Sequence, residues 1–228
     1  MRFILAVMQF SLLVTILACS SRQTVQQKPY PQDLPDGQRE AVASWYGADF
    51  HGRPTASGEI FNMHAYTCAH KEYPFGTQVR VTLPANGKSV DCTVNDRGPF
   101  AEGRDIDLSY AAAKEIGLIG PGTAPVLLEV TGRETSYIKQ VKIQSSGRRG
   151  PFAVQVGSFV ESINAVRLKT ALRLNYGNAY VQETELNGTT FYRVRVGNFD
   201  QFTAAREMAE KLGREGYPVV VVKADVRM

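Results

Sequence analysis

At 228 residues, with 43% hydrophobic and 21% charged side chains, the chain is ordinary globular material, long enough for one large or two small domains. Its formal charge of +4 and pI ≈ 9.0 fit an anionic surface or polymer as partner. No run of Lys and Arg interleaved with aromatics forms a phosphate-tracking face, which argues against nucleic acid.

The N-terminus carries the first signal. Arg2 supplies a short positive region, and Phe3 to Ala18 is mostly apolar but broken by Gln9, Ser11 and Thr15. The stretch is shorter than the ~20 residues a spanning helix needs, so residues 1–18 read as a secretory signal peptide and are set apart from the fold; a plain membrane anchor is the alternative. Ile16-Leu17-Ala18-Cys19 resembles the lipobox cleaved just before its cysteine, although Ile16 and Leu17 depart from the usual residues. Processing there makes Cys19 a lipidated N-terminus, anchored by ~0.8 kcal/mol per buried CH₂. Ser20 rather than Asp follows, and by resemblance to enterobacterial-type sorting the destination is the periplasmic face of the outer membrane. Cys68 and Cys92 remain, an even pair in an exported, oxidising compartment, and their spacing matches no zinc pattern.

Residues 19–40 are rich in Gln, Pro, Ser and Asp and read as a flexible tether. Residues 41–133 alternate like strands: Val79-Arg80-Val81-Thr82-Leu83 and Val90-Asp91-Cys92-Thr93-Val94, with Val126 to Val130 as a buried strand. Asn86-Gly87 predicts a two-residue hairpin turn. A helix follows Ser109 as cap, runs through Ala111 to Ile116 and stops at Gly117. Many short strands with frequent turns predict a small barrel.

Residues 134–150, ending in Ser-Ser-Gly-Arg-Arg-Gly, read as a polar, basic linker. Residues 151–228 contain an internal repeat. Val154-Gln155-Val156-Gly157-Ser158-Phe159 returns as Val194-Arg195-Val196-Gly197-Asn198-Phe199, 40 positions later. Ala165, Leu168 and Leu172 match Ala205, Met208 and Leu212 at the same offset, each trio on one helical face. Val181 and Val221 close each unit as a second strand. Two strand-helix-strand units predict a four-stranded sheet with two helices on one face and the other face free for a ligand.

Chemistry concentrates in the first block. Trp45-Tyr46-Gly47 precedes His51-Gly52-Arg53-Pro54-Thr55-Ala56-Ser57-Gly58-Glu59. Tyr66-Thr67-Cys68-Ala69-His70-Lys71, Asn95-Asp96-Arg97-Gly98-Pro99-Phe100 and Asp105-Ile106-Asp107-Leu108-Ser109 complete it. Aromatic rings stack on sugar faces and carboxyls handle protons, so these residue types suit a carbohydrate-cleaving cleft. Across residues 41–133, and in order, these motifs resemble the rare lipoprotein A family, the septal-ring lytic transglycosylases. The resemblance implies a double-psi β-barrel, with Asp96 as central acid and Glu59 and His70 completing a catalytic trio.

Each of these residues also has a plainer reading. Asp96 sits in a turn-prone run. Glu59 could start a strand or pair with Arg97, and His70 could be structural. Arg97 either binds the sugar carboxylate or braces Asp96. Trp45 and Tyr46 read as core aromatics, with Tyr46 the one to reach the cleft. His51, His64 and His70 show no HxxxH or HExxH spacing, so neither a metal nor a cofactor is expected. Positions 68 and 92 depart from the family, which usually has Ala and an aliphatic residue there. Two unusual cysteines flanking the catalytic segment suggest a disulfide, with two buried free thiols as the alternative.

The C-terminal repeat resembles the SPOR domain, which implies binding to denuded glycan at division septa. Alternation directs Val154 and Val156 to the helices and Gln155 away; Gln155, Ser158 and Arg195 are therefore the candidates for the exposed binding face, with solvated strand residues as the alternative. Three functions follow. The first is a lytic transglycosylase on peptide-free peptidoglycan strands, acting in cell separation beside division proteins. The second is an expansin-like lipoprotein that grips glycan without cutting it. The third is a hydrolase with Asp105 or Asp107 as second carboxyl, although those two read more simply as bracing the helix start at Ser109.

Overall fold

The computed structural model of the chain describes residues 37–144 and 150–224. The expected signal peptide, the expected lipidation site Cys19, the expected tether as far as residue 36 and residues 145–149 lie outside the described residues.

Six strands close the first module into a barrel. They are β1 (Gln38–Tyr46), β2 (Thr67–His70), β3 (Thr77–Leu83), β4 (Lys88–Asp96), β5 (Ile106–Ser109) and β6 (Ala124–Arg133), in the order β1-β5-β2-β4-β3-β6. The pairs β1–β5 and β2–β4 are parallel and the other pairings antiparallel, in keeping with the double-psi arrangement. Alternation sets which side chains face inward. Val79, Val81 and Leu83 of β3 meet Val90, Cys92 and Val94 of β4 inside, while Arg80 and Asp91 pair outside at 2.9 Å. Each inward Val or Leu contributes ~1.5–3 kcal/mol of burial; the exposed ion pair contributes little. Strand β6 is buried only at Val126 and Leu128, and Val130 is half exposed.

Helix α1 (Tyr110–Glu115) starts where Ser109 Oγ accepts from Ala112 N at 3.2 Å, and sends Ala112 and Ala113 into the barrel core. Asn86-Gly87 does not form the expected two-residue turn. The β3–β4 register ends at Leu83↔Lys88, leaving a four-residue loop in which Gly87 has φ +71° and its amide returns to Leu83 O at 2.9 Å. Pro84 at the head of that loop has no amide to continue the ladder, so pairing stops early.

The second module is a sheet in the order β7-β11-β8-β10-β9, built from β7 (Lys142–Ile143), β8 (Phe152–Phe159), β9 (Ala179–Leu186), β10 (Thr189–Phe199) and β11 (Val220–Lys223). Helices α2 (Ser162–Tyr176) and α3 (Phe202–Arg214) bury Ala165, Leu168, Leu172, Ala205 and Leu212, and Met208 packs at the margin. The first strands of the two repeats, β8 and β10, pair at the centre, and each repeat's second strand lies beside the other repeat's first. Neither repeat can therefore close its sheet alone. A two-residue turn does form at Asn187-Gly188, both at positive φ, joining Leu186 to Thr189.

Two expectations need correction here. The sheet has five strands, because Lys142–Ile143 pairs in parallel with β11. And the stretch read as a linker is fastened through residue 144. Glu134 N bonds Gly76 O at 2.8 Å, Lys139 N bonds Gly213 O at 2.9 Å, and Gln144 N bonds Val221 O at 3.0 Å. A polar composition says nothing about such backbone bonds, which any side chain permits.

Candidate active site

Asp96 closes β4, with Ala69 of β2 as its register partner. Its Oδ1 accepts from two backbone amides, Ala56 N at 2.8 Å and Arg97 N at 2.7 Å. Those bonds clip the loop before β2 to the end of β4 and fix the carboxyl. Burial pushes the Asp96 carboxyl above the usual carboxylate range; the two amides and the charges of Arg97 and Arg167 pull the other way without cancelling it. Around it opens a cleft of about 300 Å³. Tyr46, Phe50 and Phe61 give it aromatic walls, and Arg53, Arg104 and Arg167 give it positive charge.

Tyr46 is the sequence candidate that the structure brings to Asp96. Its ring stacks on Phe61 with centroids 4.3 Å apart. Burial, then the nearby Asp96, hold its phenol well above its ordinary value, so it stays protonated. Trp45 points elsewhere, edge-on to Tyr110 at 5.9 Å.

Asp107 lines the same cleft. It accepts from Ser44 Oγ and stands 3.8 Å from Arg104, so it braces the cleft wall rather than the helix start at Ser109. Burial raises its carboxyl too. Asp105 is structural, its Oδ2 accepting from Val42 N at 2.8 Å.

The other two members of the expected trio stand elsewhere. His70 follows Ala69 on β2, so the pleat turns it away from the cleft. Only 2% of it is exposed. Nδ1 accepts from the amides of Glu72 at 3.1 Å and Tyr73 at 3.0 Å, the ring stacks on Tyr73, and the Arg39 guanidinium stands 2.5 Å from Nε2. Burial first, then the charges of Arg39 and Arg97, depress its pKa to about 3. It is a neutral, locked ring. Glu59 is exposed and meets not Asp96 but its neighbour: Oε2 accepts from Asn95 Nδ2 at 2.9 Å and from the Tyr137 hydroxyl at 3.0 Å. A register shift skips Asn95 in the β2–β4 pairing, and Val94 and Asn95 are both buried, so Glu59 is placed by its hydrogen bonds and not by strand alternation.

Arg97 lines the same cleft, and the polar contacts of its side chain are those of a brace. Only 6% exposed, it donates from Nε to Tyr217 Oη at 2.5 Å and from Nη1 to Tyr73 O at 2.9 Å, with its guanidinium 3.7 Å from the Phe75 ring centre. This is the joint between the two modules. Phe75 N also donates to Glu215 O at 2.9 Å, and Gly216 approaches so closely that a Cβ there would stand 2.9 Å from the Phe75 Cβ.

In the repeat module Ser158 is exposed and lines a second groove with Pro54, Thr55 and Gly58 of the barrel. Gln155 is half-buried between Arg195 and Val220. Arg195, expected on an open face, is 3% exposed and donates from Nη1 to Lys223 O at 3.4 Å. A register shift between Val194 and Arg195 breaks the in-and-out alternation on which the expectation rested, and Val194, Arg195 and Val196 are all buried.

Sequence reasoning missed Phe50, Arg104 and Arg167 at the cleft. Arg53 lay inside a quoted motif without a role, and Phe159 inside the repeat hallmark. Nothing in the sequence links Arg167, on a helix of the other module, to Asp96. Cys68 and Cys92 are joined by a disulfide, Cα atoms 6.0 Å apart, inside the barrel. Among the described residues, no group of three or more His, Cys, Asp or Glu is arranged to hold a metal ion.

Comparison with known proteins places names beside this geometry. The lytic transglycolase family matches residues 38–128 and the SPOR domain matches residues 149–223. The endolytic peptidoglycan transglycosylase RlpA of Vibrio cholerae is 36% identical over 181 residues, covering 79% of this chain and 67% of that protein. RlpA of Helicobacter pylori is 36% identical over 202 residues, covering 80% and 64%. A probable RlpA of Nostoc is 57% identical over 96 residues, covering 41% and 26%. The chain thus spans from about a quarter to two thirds of these relatives' length.

Proposed function

The chain belongs to the RlpA family, and from that premise we propose that it is a lytic transglycosylase cutting the glycan strands of peptidoglycan, with Asp96 as its acid and base. The observation that carries this reading is the Asp96 carboxyl, held by two amides and shifted toward its protonated form in a cleft lined by aromatic rings.

Oδ1 of Asp96 is engaged by two amides, so the proton belongs on Oδ2. Oδ2–H protonates the glycosidic oxygen as its bond to C1 of N-acetylmuramic acid breaks. The resulting carboxylate then takes the proton of that sugar's own 6-hydroxyl, and O6 closes on C1. The product is a 1,6-anhydro end, no water is consumed, and the carboxyl returns to its starting state. One carboxyl suffices, whereas hydrolysis needs a second to direct water. The Tyr46–Phe61 stack and Phe50 offer apolar faces for the sugar rings. Glu59 and His70 support the site at a distance, Glu59 through Asn95 and His70 through the turn that also presents the Tyr73 carbonyl to Arg97.

The finer parts of the proposal are a preference for strands stripped of stem peptides, action at the division septum among division proteins, and a lipid anchor at Cys19 holding the protein to the outer membrane. The SPOR match supports the first two; the lipobox resemblance supports the third.

Digestion of peptide-stripped glycan strands, read by mass spectrometry with Asp96→Asn in parallel, tests the reaction. New 1,6-anhydro ends that disappear in the variant are expected. Water-derived reducing ends would reassign the chemistry to hydrolysis with Asp107 as second carboxyl. Binding without cleavage would make the protein a gripping lipoprotein.

A further inference from the structure

The cleft around Asp96 is built by both modules. Barrel residues supply Tyr46, Phe50 and Arg53, while α2 and the end of β8 supply Phe159, Asn164 and Arg167. The second groove shares Pro54, Thr55, Ala56, Phe159 and Asn164 with the first and runs on past Ser158. A single trough therefore leads from the catalytic carboxyl along the seam of the modules.

Both signs of charge line this trough, the carboxyls being those of Asp96, Asp107 and Glu161. Arg53, Arg104 and Arg167 line it. Arg104 is occupied, donating to Ser44 Oγ at 2.9 Å and facing Asp107. Arg167 is half-buried, and its guanidinium lies 5.1 Å from the centre of the Phe50 ring, which orients its planar fork. A neutral polysaccharide gives no reason for such charge. A fixed guanidinium is suited to a carboxylate, which it holds by paired hydrogen bonds. Muramic acid carries one carboxylate, on its lactyl group. In intact peptidoglycan that group is an amide to the stem peptide; once the peptide is removed it is free and negative.

We propose that Arg167, supplied by the repeat module, is a specificity residue that pairs with the free lactyl carboxylate of denuded glycan beside Asp96, with Arg53 of the barrel supporting it. The inference rests on the proposed substrate being peptidoglycan glycan. It gives the repeat module a part in substrate choice at the catalytic cleft, besides gathering strands. It also links choice to chemistry: the charge of Arg167 draws the Asp96 carboxyl toward its ionised form, and a substrate carboxylate that neutralises that charge favours the protonated acid that cleavage needs.

The test uses the chain from Ser20, which retains every described residue. Three glycan preparations are compared: peptide-stripped strands, the same strands with lactyl carboxylates capped as methylamides, and strands with stem peptides intact. Affinity is measured with the Asp96→Asn variant and cleavage with the wild type. Stripped strands should bind about tenfold more tightly than capped ones, the ratio of one charged hydrogen bond. Arg167→Ala in the Asp96→Asn background should lose that ratio by weakening only the stripped strands, and Arg167→Lys should restore part of it. If Arg167→Ala weakens all three preparations alike, or keeps the ratio, the proposal is wrong. Tighter binding of peptide-bearing strands would also overturn it, assigning the charge to stem-peptide carboxylates. Absence of cleavage by the wild type would defeat the proposed reaction while the binding ratio still decides the role of Arg167.

Discussion

The two sides of the barrel hold ionisable groups that burial treats alike and that chemistry uses differently. On the cleft side, Asp96 is pushed toward its protonated form; behind it, on the joint side, His70 is also pushed toward its neutral form, at a pKa of about 3. Desolvation disfavours whichever form is charged, so it makes an acid a better proton carrier near neutral pH and makes a base inert there. Position completes the contrast. Asp96 opens onto a cleft, whereas His70 is walled in by Tyr73, Arg39 and two backbone amides. Ionisable residues on the paired strands β2 and β4 thus become framework or machinery according to whether they are walled in or open onto the cleft.

The contrast breaks most severely at Asp96. Asp96→Asn should lower cleavage by about 10²–10⁴-fold or more, the contribution of a positioned acid and base, while keeping the fold, since an amide oxygen can accept the Ala56 and Arg97 amides. The sign of its stability effect follows from the raised pKa. The folded state holds that proton more tightly than the unfolded chain, so this carboxyl stabilises at low pH and costs stability as pH rises through its folded pKa. The variant's Tm should therefore exceed the wild type's at pH 7, with the gain shrinking toward the ordinary carboxylate range. An equal or lower Tm at pH 7 would show that the buried charge is better compensated than described.

On the joint side the expected losses are of stability. Arg97→Ala leaves the Tyr217 hydroxyl and the Tyr73 carbonyl without their partner and should cost about 3 kcal/mol in denaturant unfolding. Arg97→Lys should not restore it, because an ammonium cannot span Tyr217 and Tyr73 while stacking on Phe75. Replacing Cys68 and Cys92 together by Ala opens a loop of about 25 residues and should also cost about 3 kcal/mol, with kcat/KM kept, since both cysteines lie in the core away from Asp96.

The smallest effect near neutral pH belongs to His70, whose contribution appears only as pH falls. Its folded pKa lies below its unfolded value of about 6.5, so below that pH the unfolded chain binds a proton the folded state refuses. Stability is lost progressively from about pH 6.5 down to the folded value of about 3. His70→Asn retains an acceptor for the Glu72 and Tyr73 amides and carries no titrating ring. Its unfolding free energy should fall less steeply over that window; an unchanged slope would mean that His70 is not buried neutral.

Much of this was legible in the sequence, and the boundary of legibility has physical causes. Alternation at Val79, Val81, Val90 and Val94 fixed the inner face of the barrel, and the 40-residue repeat fixed the α2 and α3 stripes. Motif order pointed to Asp96 and Tyr46. A motif, however, marks residues without saying which side of a strand each takes: Asn95, Asp96 and Arg97 are consecutive and serve Glu59, the cleft and the joint in turn. Arg195 escaped because a register shift leaves no trace in the pattern. Arg167 escaped because its partner lies in another module, and β7 escaped because two residues are too short for periodicity to speak.

The most direct test of the division between the two sides is the pH dependence of kcat/KM on peptide-stripped strands for wild type and His70→Asn. With Asp96 as acid and His70 as framework, the rate should fall as pH rises through an apparent pKa above the ordinary carboxylate range, and the His70→Asn curve should keep the same midpoint. A midpoint that moves or vanishes in His70→Asn would contradict the account, because it would put the imidazole back among the groups that handle the proton.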